Sequence, residues 1–305
     1  EQFLGGTGFN LAVALAQENV SAALAASIGR DDEGQALRSA LESFGVTMLA
    51  QPGLPATRHA ATHVSDGEPR YRFAEGTRRQ VSLTPELVGA IRRASVVVVN
   101  SFPFDSTEDV RQLAAVFDST AALRIIDPNP RPNLMGNPQL FAQNLRLLLA
   151  SSDIVKISQA DLTMLRQDLD QIVVGAVQVA FLTKGADGAD IVSAGRNVYS
   201  AAATSVSPLA DTIGAGDAAL AGLIAAILRA EDESAGSAGG APVRQRHALP
   251  SLDWRAHLAG AMKAAAACCR EAGGPAHTPF GRARRQVPAP RHTPATPEAL
   301  PADNG

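Results

Sequence analysis

Four short runs of β-branched and other apolar residues, separated by helical patterns, constrain the fold of this 305-residue chain more than any other feature. Such runs are typical of buried strands, and they occupy 96–100, 124–127, 154–157 and 177–183. The helical patterns between them lie near 106–118, 137–149 and 160–169. Strand and helix in alternation predict an α/β fold with a mostly parallel sheet that is covered on both faces. Ligands bind at the carboxyl ends of the strands in such sheets, so the residues at those ends are the candidate site residues.

The charge balance favours small molecules as partners. Lys and Arg number 27 against 30 Asp and Glu, so nothing indicates a surface for nucleic acid or membrane. No apolar run reaches the length of a membrane span, and the first ten residues lack the basic and apolar regions of a signal peptide. The two cysteines, Cys268 and Cys269, are neighbours in a predicted helix and cannot readily form a disulfide. We therefore expect a reduced, cytoplasmic protein.

A glycine-rich loop ahead of a strongly apolar helix is the strongest chemical signal in the chain. The loop, DTIGAGD, spans 211–217, and the helix is expected to end at Ala230. Gly214 and Gly216 allow a tight turn whose amides point outward beside the positive end of the helix dipole, which predicts an anion site. A carboxylate beside an anion needs a role, and Asp217 could take the proton of a hydroxyl nucleophile. The alternative is an ordinary helix cap.

Polar residues also follow the second and third apolar runs. Asn129 and Arg131 offer an amide and a planar guanidinium to a sugar hydroxyl, a carboxylate or a phosphate, although a rigid proline loop fits equally well. Asp161 offers a hard oxygen ligand to a magnesium site that keeps most of its waters. Ser158 and Asp161 also have the spacing of a helix capping box, and the two roles are compatible.

Two glycine-containing segments complete the candidate binding loops. Residues 183–188, after the fourth run, leave backbone groups open to a nucleotide and bring Lys184 within reach of a phosphate, although a β-hairpin needs similar residues. Near the start of the chain, Gly5 and Gly6 allow close approach of a ligand, and Asn10 offers a donor and an acceptor to sugar hydroxyls. A plain helix-entry loop is the alternative there.

The segment from 57 to 74 has a different pattern, of two short strands joined by a turn at Asp66 and Gly67. Small hairpins set apart from a helical repeat often cover a site, and Thr57 and Arg72 would then face it. A surface hairpin is an equally good interpretation of these two residues.

The 211–217 loop resembles the signature of the ribokinase-like (PfkB) family of sugar kinases, and three further stretches match in family order up to about residue 281. The resemblance implies a ribokinase-like three-layer sandwich with a mostly parallel central sheet and a small β lid. It also implies ATP-dependent phosphorylation of a sugar hydroxyl, with Mg²⁺ accompanying ATP and K⁺ as a further cation. The implied roles are the base for Asp217; the anion hole for the backbone of Gly214, Ala215 and Gly216; sugar binding for Gly5, Gly6, Asn10, Asn129 and Arg131; nucleotide binding for Thr183, Lys184, Gly185, Gly188 and Thr212; and metal binding for Asp161 and, near K⁺, Asp211.

The sequence departs from the family pattern in two places. The family's first strand, which carries a substrate-binding Asp, does not precede Gly5 here. Ser158 and Asp161 stand where the family usually has Asn and Glu. The first departure puts sugar binding in question, and the second puts the magnesium site in question.

We expect one kinase domain over 1–281, with lid strands at about 50–80 and a flexible insertion at 231–250, followed by a Pro-rich disordered tail at 282–305. Lid strands pair between subunits in some relatives, which makes a homodimer one expectation. Basic residues at the hairpin edge could equally keep that edge unpaired.

The DPNPR segment at 127–131 resembles the DxNxR stretch of the fructokinase and 2-keto-3-deoxygluconokinase branch. Fructose is therefore the expected substrate, followed by 2-keto-3-deoxygluconate, whose carboxylate Arg131 would meet. Two alternatives are a non-catalytic sugar or nucleotide sensor and a different α/β phosphate-binding enzyme. Against the latter, the sequence contains neither GxxxxGK[ST] nor a GxGxxG that follows a strand.

Overall fold

The computed structural model describes residues 2–49, 51, 53–57, 60–65, 68–73, 81–173, 175–193, 198–238, 249 and 252–276. The strands within them are β1 (Ala23–Ala25), β2 (Thr47–Leu49), β3 (Ala60–Ser65), β4 (Glu68–Phe73), β5 (Val96–Asn100), β6 (Leu123–Asp127), β7 (Ile154–Ser158), β8 (Val179–Thr183), β9 (Ala189–Ser193) and β10 (Val198–Ala201). The α-helices are α1 (Thr7–Gln17), α2 (Asp32–Ser43), α3 (Pro85–Arg93), α4 (Thr107–Asp118), α5 (Pro138–Leu149), α6 (Gln159–Leu165), α7 (Leu169–Ile172), α8 (Ala215–Ala238) and α9 (Trp254–Cys268).

The central sheet has six strands in the order β10-β9-β8-β7-β6-β5. The four predicted buried runs form β5 to β8 and pair in parallel, whereas β9 and β10 join antiparallel at one edge. Strand β5 was predicted to be fully buried but is half-buried throughout, because it forms the opposite edge of the sheet. The register aligns Asn100 with Asp127 and Ser158 with Thr183, so the carboxyl ends of all four parallel strands meet at one edge of the sheet. This geometry confirms the mostly parallel α/β sheet that the sequence predicts.

Helices cover both faces of the sheet because successive strand side chains point to opposite sides. On β7, Ile154 packs in the core beneath α1, α8 and α9, while Val155 and Ile157 pack in the core beneath α4 and α5. The resulting three layers confirm the predicted sandwich. Among the described residues, none of the helices combines the length and apolarity required to traverse a bilayer.

Two small sheets lie apart from the central one. Strands β1 and β2 pair in parallel, and α1 and α2 pack together in an apolar cluster that includes Phe9, Val13 and Leu41. Strands β3 and β4 form the predicted antiparallel hairpin, with Ala61 opposite Arg72. The predicted turn at 66–67 lies outside the described residues, as does the tail at 282–305.

Two predicted helix boundaries were wrong. Helix α8 continues to Ala238 and does not end at Ala230, so the first part of the predicted flexible insertion is helical; the Ala and Glu residues there are good helix formers. The helix predicted near 160–169 is divided into α6 and α7, because Arg166 adopts the left-handed conformation (φ 52°) and ends α6. Residues 239–248 lie outside the described part of the chain.

Candidate active site

The predicted anion loop leads directly into the buried amino end of α8. Gly214 has φ 75°, and a Cβ at this position would lie 2.6 Å from Pro275 Cδ. Only glycine therefore fits, both in conformation and in space. Asp211 fixes the same loop, since its carboxylate accepts hydrogen bonds from the Ile213 and Gly273 amides, both at 2.9 Å. The 273–275 segment thus closes against the loop and holds it in place.

Asp217 is buried in the first turn of α8, and Asn10 of α1 holds its carboxylate. Asn10 Nδ2 donates to Asp217 Oδ2 at 3.0 Å. The pKa of Asp217 is raised from 3.8 to about 7, because the carboxylate is buried and because the charge of Asp127 repels it. The charge of Lys156, the hydrogen bond from Asn10 and the charge of Arg131 oppose this rise. Asp217 can therefore exchange a proton near neutral pH.

Lys156 and Asp127 form a buried ion pair below the loop, and neither was among the predicted site residues. Lys156 Nζ lies 3.2 Å from both carboxylate oxygens of Asp127. A Cβ on Gly216 would lie 3.5 Å from the same nitrogen, so the ammonium group sits directly beneath the anion loop. Burial lowers the pKa of Lys156, but the carboxylates of Asp127, Asp161 and Asp217 outweigh it, and the net direction is upward. Lys156 is therefore protonated, and the site contains a fixed positive charge.

The amide of Asn129 takes part in a hydrogen-bond cluster where β5 and β6 end. Its Nδ2 donates to Thr7 Oγ1 at 3.0 Å and to Ser101 Oγ at 2.8 Å. Ser101 and Asn129 both have positive φ, 53° and 40°. Non-glycine residues in this conformation carry strain that often accompanies function. Sequence reasoning missed Thr7 and Ser101, which have no motif of their own.

The nucleotide-loop candidates form a tight connection between β8 and β9. Lys184 Nζ is 2.7 Å from Asp190 Oδ1, and the Lys184 amide donates to Gly188 O at 2.8 Å. Gly188 has φ 88°, and a Cβ on it would lie 2.0 Å from Ala201 O. A tight turn by itself therefore accounts for Gly188. Asp190 must release Lys184 if this side chain is to bind a phosphate.

Asp161 forms the capping box that its spacing with Ser158 predicts. Asp161 Oδ2 accepts from the Ser158 amide at 2.9 Å, and Ser158 Oγ accepts from the Asp161 amide at 3.0 Å. Within the described residues, no group of three or more His, Cys, Asp or Glu side chains is arranged to hold a metal ion. A single buried carboxylate fits Mg²⁺, which usually binds few protein ligands and keeps waters and substrate phosphates.

One continuous cleft of about 3380 Å³ brings the predicted site residues together. It is lined by Gly5, Gly6, Asn10, Asn129, Arg131, Asp161, Thr183, Lys184, Gly185, Gly188, Asp211, Thr212, Gly214, Ala215, Gly216 and Asp217. Two side-chain atoms in this lining, Asn10 Oδ1 and Asn100 Nδ2, are buried and have no hydrogen-bond partner among the described residues. Asn100 ends the first apolar run, and a polar residue at the carboxyl end of a parallel strand was the signal that could have identified it.

The model of the pfkB family carbohydrate kinases matches residues 1–278. This chain belongs to the pfkB family. It is accordingly an ATP-dependent sugar kinase. The match extends from the Gly5 and Gly6 segment through the end of α9, so it includes every element of the cleft described above.

Relatives and a solved structure agree with the family. A fructokinase of Rhizobium leguminosarum bv. trifolii is 29% identical over an alignment of 275 residues, and the match covers 81% of this chain and 82% of the relative. An ATP-dependent ribose-1-phosphate kinase of Halopiger xanaduensis is 29% identical over an alignment of 234 residues, and the match covers 72% of each chain. The crystal structure of a Xylella fastidiosa fructokinase with bound ATP superposes with a TM-score of 0.71, covering 92% of this chain and 88% of that one at 20% identity. These two relatives act on different sugars, so the family alone does not specify the substrate.

Proposed function

We propose that this kinase phosphorylates a hydroxyl of fructose, with Asp217 as the general base. The observation that carries the proposal is the buried Asp217 carboxylate at the amino end of α8, with a pKa near 7 and a hydrogen bond from Asn10. A base acts best when its pKa is near the working pH, because it is then both ionised and sufficiently basic. Asp217 would take the hydroxyl proton as the oxygen attacks the terminal phosphoryl group of ATP.

The anion loop would stabilise the charge that spreads over the transferred phosphoryl oxygens. The first amides of a helix have no partner within the helix, and they lie at the positive end of its dipole. The Gly214 and Gly216 amides are the better donors, since the Ala215 amide donates to Thr212 O at 3.2 Å. We therefore expect Ala215 to contribute less than the resemblance implies. Losing one such preorganised donor typically costs about 10²- to 10³-fold in rate.

Sugar binding would use polar groups where β5, β6 and α1 meet. The buried Asn10 Oδ1 is an acceptor and Asn100 Nδ2 is a donor, and both need a partner because buried polar atoms are costly when unpaired. A sugar hydroxyl both donates and accepts, so it suits such a pair. Asn129 and Arg131 stand beside the same cleft. The fructokinase match covers 81% of this chain, against 72% for the ribose-1-phosphate kinase at the same 29% identity, and this wider coverage favours fructose.

ATP would lie along residues 183–188 and Thr212, with its terminal phosphate at the anion loop. Mg²⁺, when bound, would shield the phosphate charges, and Asp161 is the carboxylate that would orient its waters. K⁺ would be held by backbone carbonyls near Asp211 and Ile213. The Ile213 carbonyl already accepts from Cys268 Sγ at 3.3 Å, and its second lone pair would serve the cation.

We propose separately that the protein forms a homodimer through the lid strands β3 and β4. Its support is the two-stranded hairpin, which leaves strand edges that a second copy could extend. Light scattering of the purified chain tests it directly. A monomer at all concentrations would refute it without affecting the kinase chemistry.

The substrate is tested by ADP release with ATP, Mg²⁺ and K⁺ over a panel of acceptors. The panel contains fructose, 2-keto-3-deoxygluconate, ribose, ribose 1-phosphate and adenosine. We expect the highest kcat/KM with fructose. A preference for 2-keto-3-deoxygluconate would support the second candidate, in which Arg131 binds the carboxylate, and a preference for ribose 1-phosphate or adenosine would refute the fructose assignment. ATP binding without turnover on any sugar would support a sensor.

A further inference from the structure

We propose that Lys156, held in place by Asp127, is a positioning residue whose charge keeps the Asp217 carboxylate ionised for proton transfer. The inference rests on the proposed role of Asp217 as base and adds two residues to it. The sheet register creates the pair: Ile125 faces Ile154 and Ile126 faces Val155, so the next step along both strands brings Asp127 beside Lys156.

The ion pair lies where an apolar pair would otherwise be expected. The neighbours of Lys156 on β7, Ile154, Val155 and Ile157, are all fully buried apolar residues. Lys156 and Asp127 are 6% and 0% exposed. A buried ion pair is often no more stable than apolar residues of the same volume, because both charges lose their hydration. Stability alone therefore does not explain a charge at this position.

The charges around Asp217 come from several elements. Asp127 ends β6, Lys156 lies on β7, Arg131 follows β6 and Asp161 lies on α6, whereas the Cys268 thiol on α9 is neutral because burial raises its pKa to about 12. Asp127 and Lys156 influence Asp217 in opposite directions, Asp127 favouring the protonated form and Lys156 the ionised form. Arg131 also favours the ionised form, but Lys156 lies directly beneath the residue that precedes Asp217, since a Cβ on Gly216 would be 3.5 Å from its Nζ. The buried Lys156 is therefore the main nearby charge that can hold Asp217 ionised.

The opposite signs of these two influences give a test that a purely structural role would fail. The measurement is the pH profile of kcat/KM for the sugar that serves best, for Lys156→Met, for Asp127→Asn and for the double variant. We expect the acid limb of Lys156→Met to move up by about one pH unit, since a nearby charge shifts a carboxyl pKa by about 1 to 3 units. Its kcat/KM would fall about 10-fold on the acid side and recover at pH 9.

Asp127→Asn should move the acid limb in the other direction, to lower pH. The double variant, which has neither charge, should return close to the wild-type limb. This variant also protects the test against misfolding, because it leaves no unpaired buried charge. Lys156→Arg keeps the positive charge, so its acid limb should lie closer to that of wild type than the limb of Lys156→Met does. If every variant loses activity equally at all pH values, or if the two single variants shift in the same direction, the proposal is refuted.

Two controls separate this inference from the proposed function. The double variant Arg124→Met with Asp153→Asn removes another buried ion pair, 2.7 Å across and at the other end of the same strands, and should leave the limb unmoved. Asp217→Asn tests the base itself. Near-normal activity of Asp217→Asn would refute the proposed function, whereas an inactive Asp217→Asn together with unmoved limbs in the Lys156 and Asp127 variants would refute only the inference.

Discussion

The substitution Asp217→Asn is expected to stabilise the fold while it removes catalysis. The carboxylate is buried, and its pKa in the folded protein is raised from 3.8 to about 7. In the unfolded chain Asp217 ionises above its ordinary pKa, but the folded protein resists this ionisation until about pH 7. Folded wild-type protein therefore loses stability as the pH rises between these two values, and the loss is complete above pH 7.

The magnitude follows from the difference between the two pKa values. A pKa raised from 3.8 to about 7 corresponds to about 4 kcal/mol, at 1.36 kcal/mol for each pH unit. Asparagine has the same shape and a neutral amide, and its Oδ1 can still accept the hydrogen bond from Asn10. With ~2.1 cal/mol/K of unfolding entropy for each residue, ~4 kcal/mol raises Tm by about 6 °C.

The assay is the Tm of wild type and Asp217→Asn between pH 4 and pH 9, without ligands. The difference should be near zero at pH 4, grow through pH 5 to 7 and level off above pH 7. Asp109→Asn is the matched control, since Asp109 is exposed in the first turn of α4 and its substitution should give no comparable rise above pH 7. A Tm of Asp217→Asn at or below that of wild type at pH 8 would refute the claim that the folded protein raises the pKa of the Asp217 carboxylate above its ordinary value.

Two further substitutions test the loop and the metal site. Gly214→Ala should lower kcat about 10²-fold or more and also lower Tm, because its Cβ would lie 2.6 Å from Pro275 and φ is 75°. The control is Gly45→Ala, which has φ 74° but open space around the new Cβ. This control introduces the backbone strain alone and should keep the wild-type kcat. Equal kcat losses in both variants would show that the close contact at Gly214 is unimportant. Asp161→Asn should raise the Mg²⁺ concentration needed for half-maximal activity several-fold. Ser158→Ala, which loses only the helix cap, should lower Tm by a few degrees and leave that Mg²⁺ concentration unchanged. An unchanged Mg²⁺ requirement in Asp161→Asn would leave Asp161 as a cap alone.

Local patterns were sufficient to predict a mostly parallel sheet with helices on both faces, whereas the family resemblance supplied the more specific fold. Strands such as Val96–Asn100 have short β-branched runs, and the intervening helices have their own periodicity, so strand type and helix coverage follow from neighbouring residues. The Ser158 and Asp161 cap was predictable for the same reason, since both partners lie within one helical turn. The end of α8 was less predictable, because Glu and Ala suit a helix as well as a polar loop.

The interior of the site depends on contacts between distant residues. Asp127 and Lys156 are 29 positions apart, and only the β6–β7 register brings them together. Asn10 and Asp217 are 207 positions apart, and their hydrogen bond requires α1 to pack against α8. The sequence predicted Asn10 and Asp217 as separate sugar and catalytic residues. Their contact could not be predicted, because no local pattern specifies a pairing between elements.

The most direct test of the central claim is a single-turnover measurement of phosphoryl transfer from ATP to fructose, comparing wild type with Asp217→Asn. If Asp217 is the base, the transfer rate should fall by about 10²- to 10⁴-fold, while the Kd for ATP should stay within a few-fold of wild type. A transfer rate within 10-fold of wild type would contradict the claim, because another group would then be taking the proton.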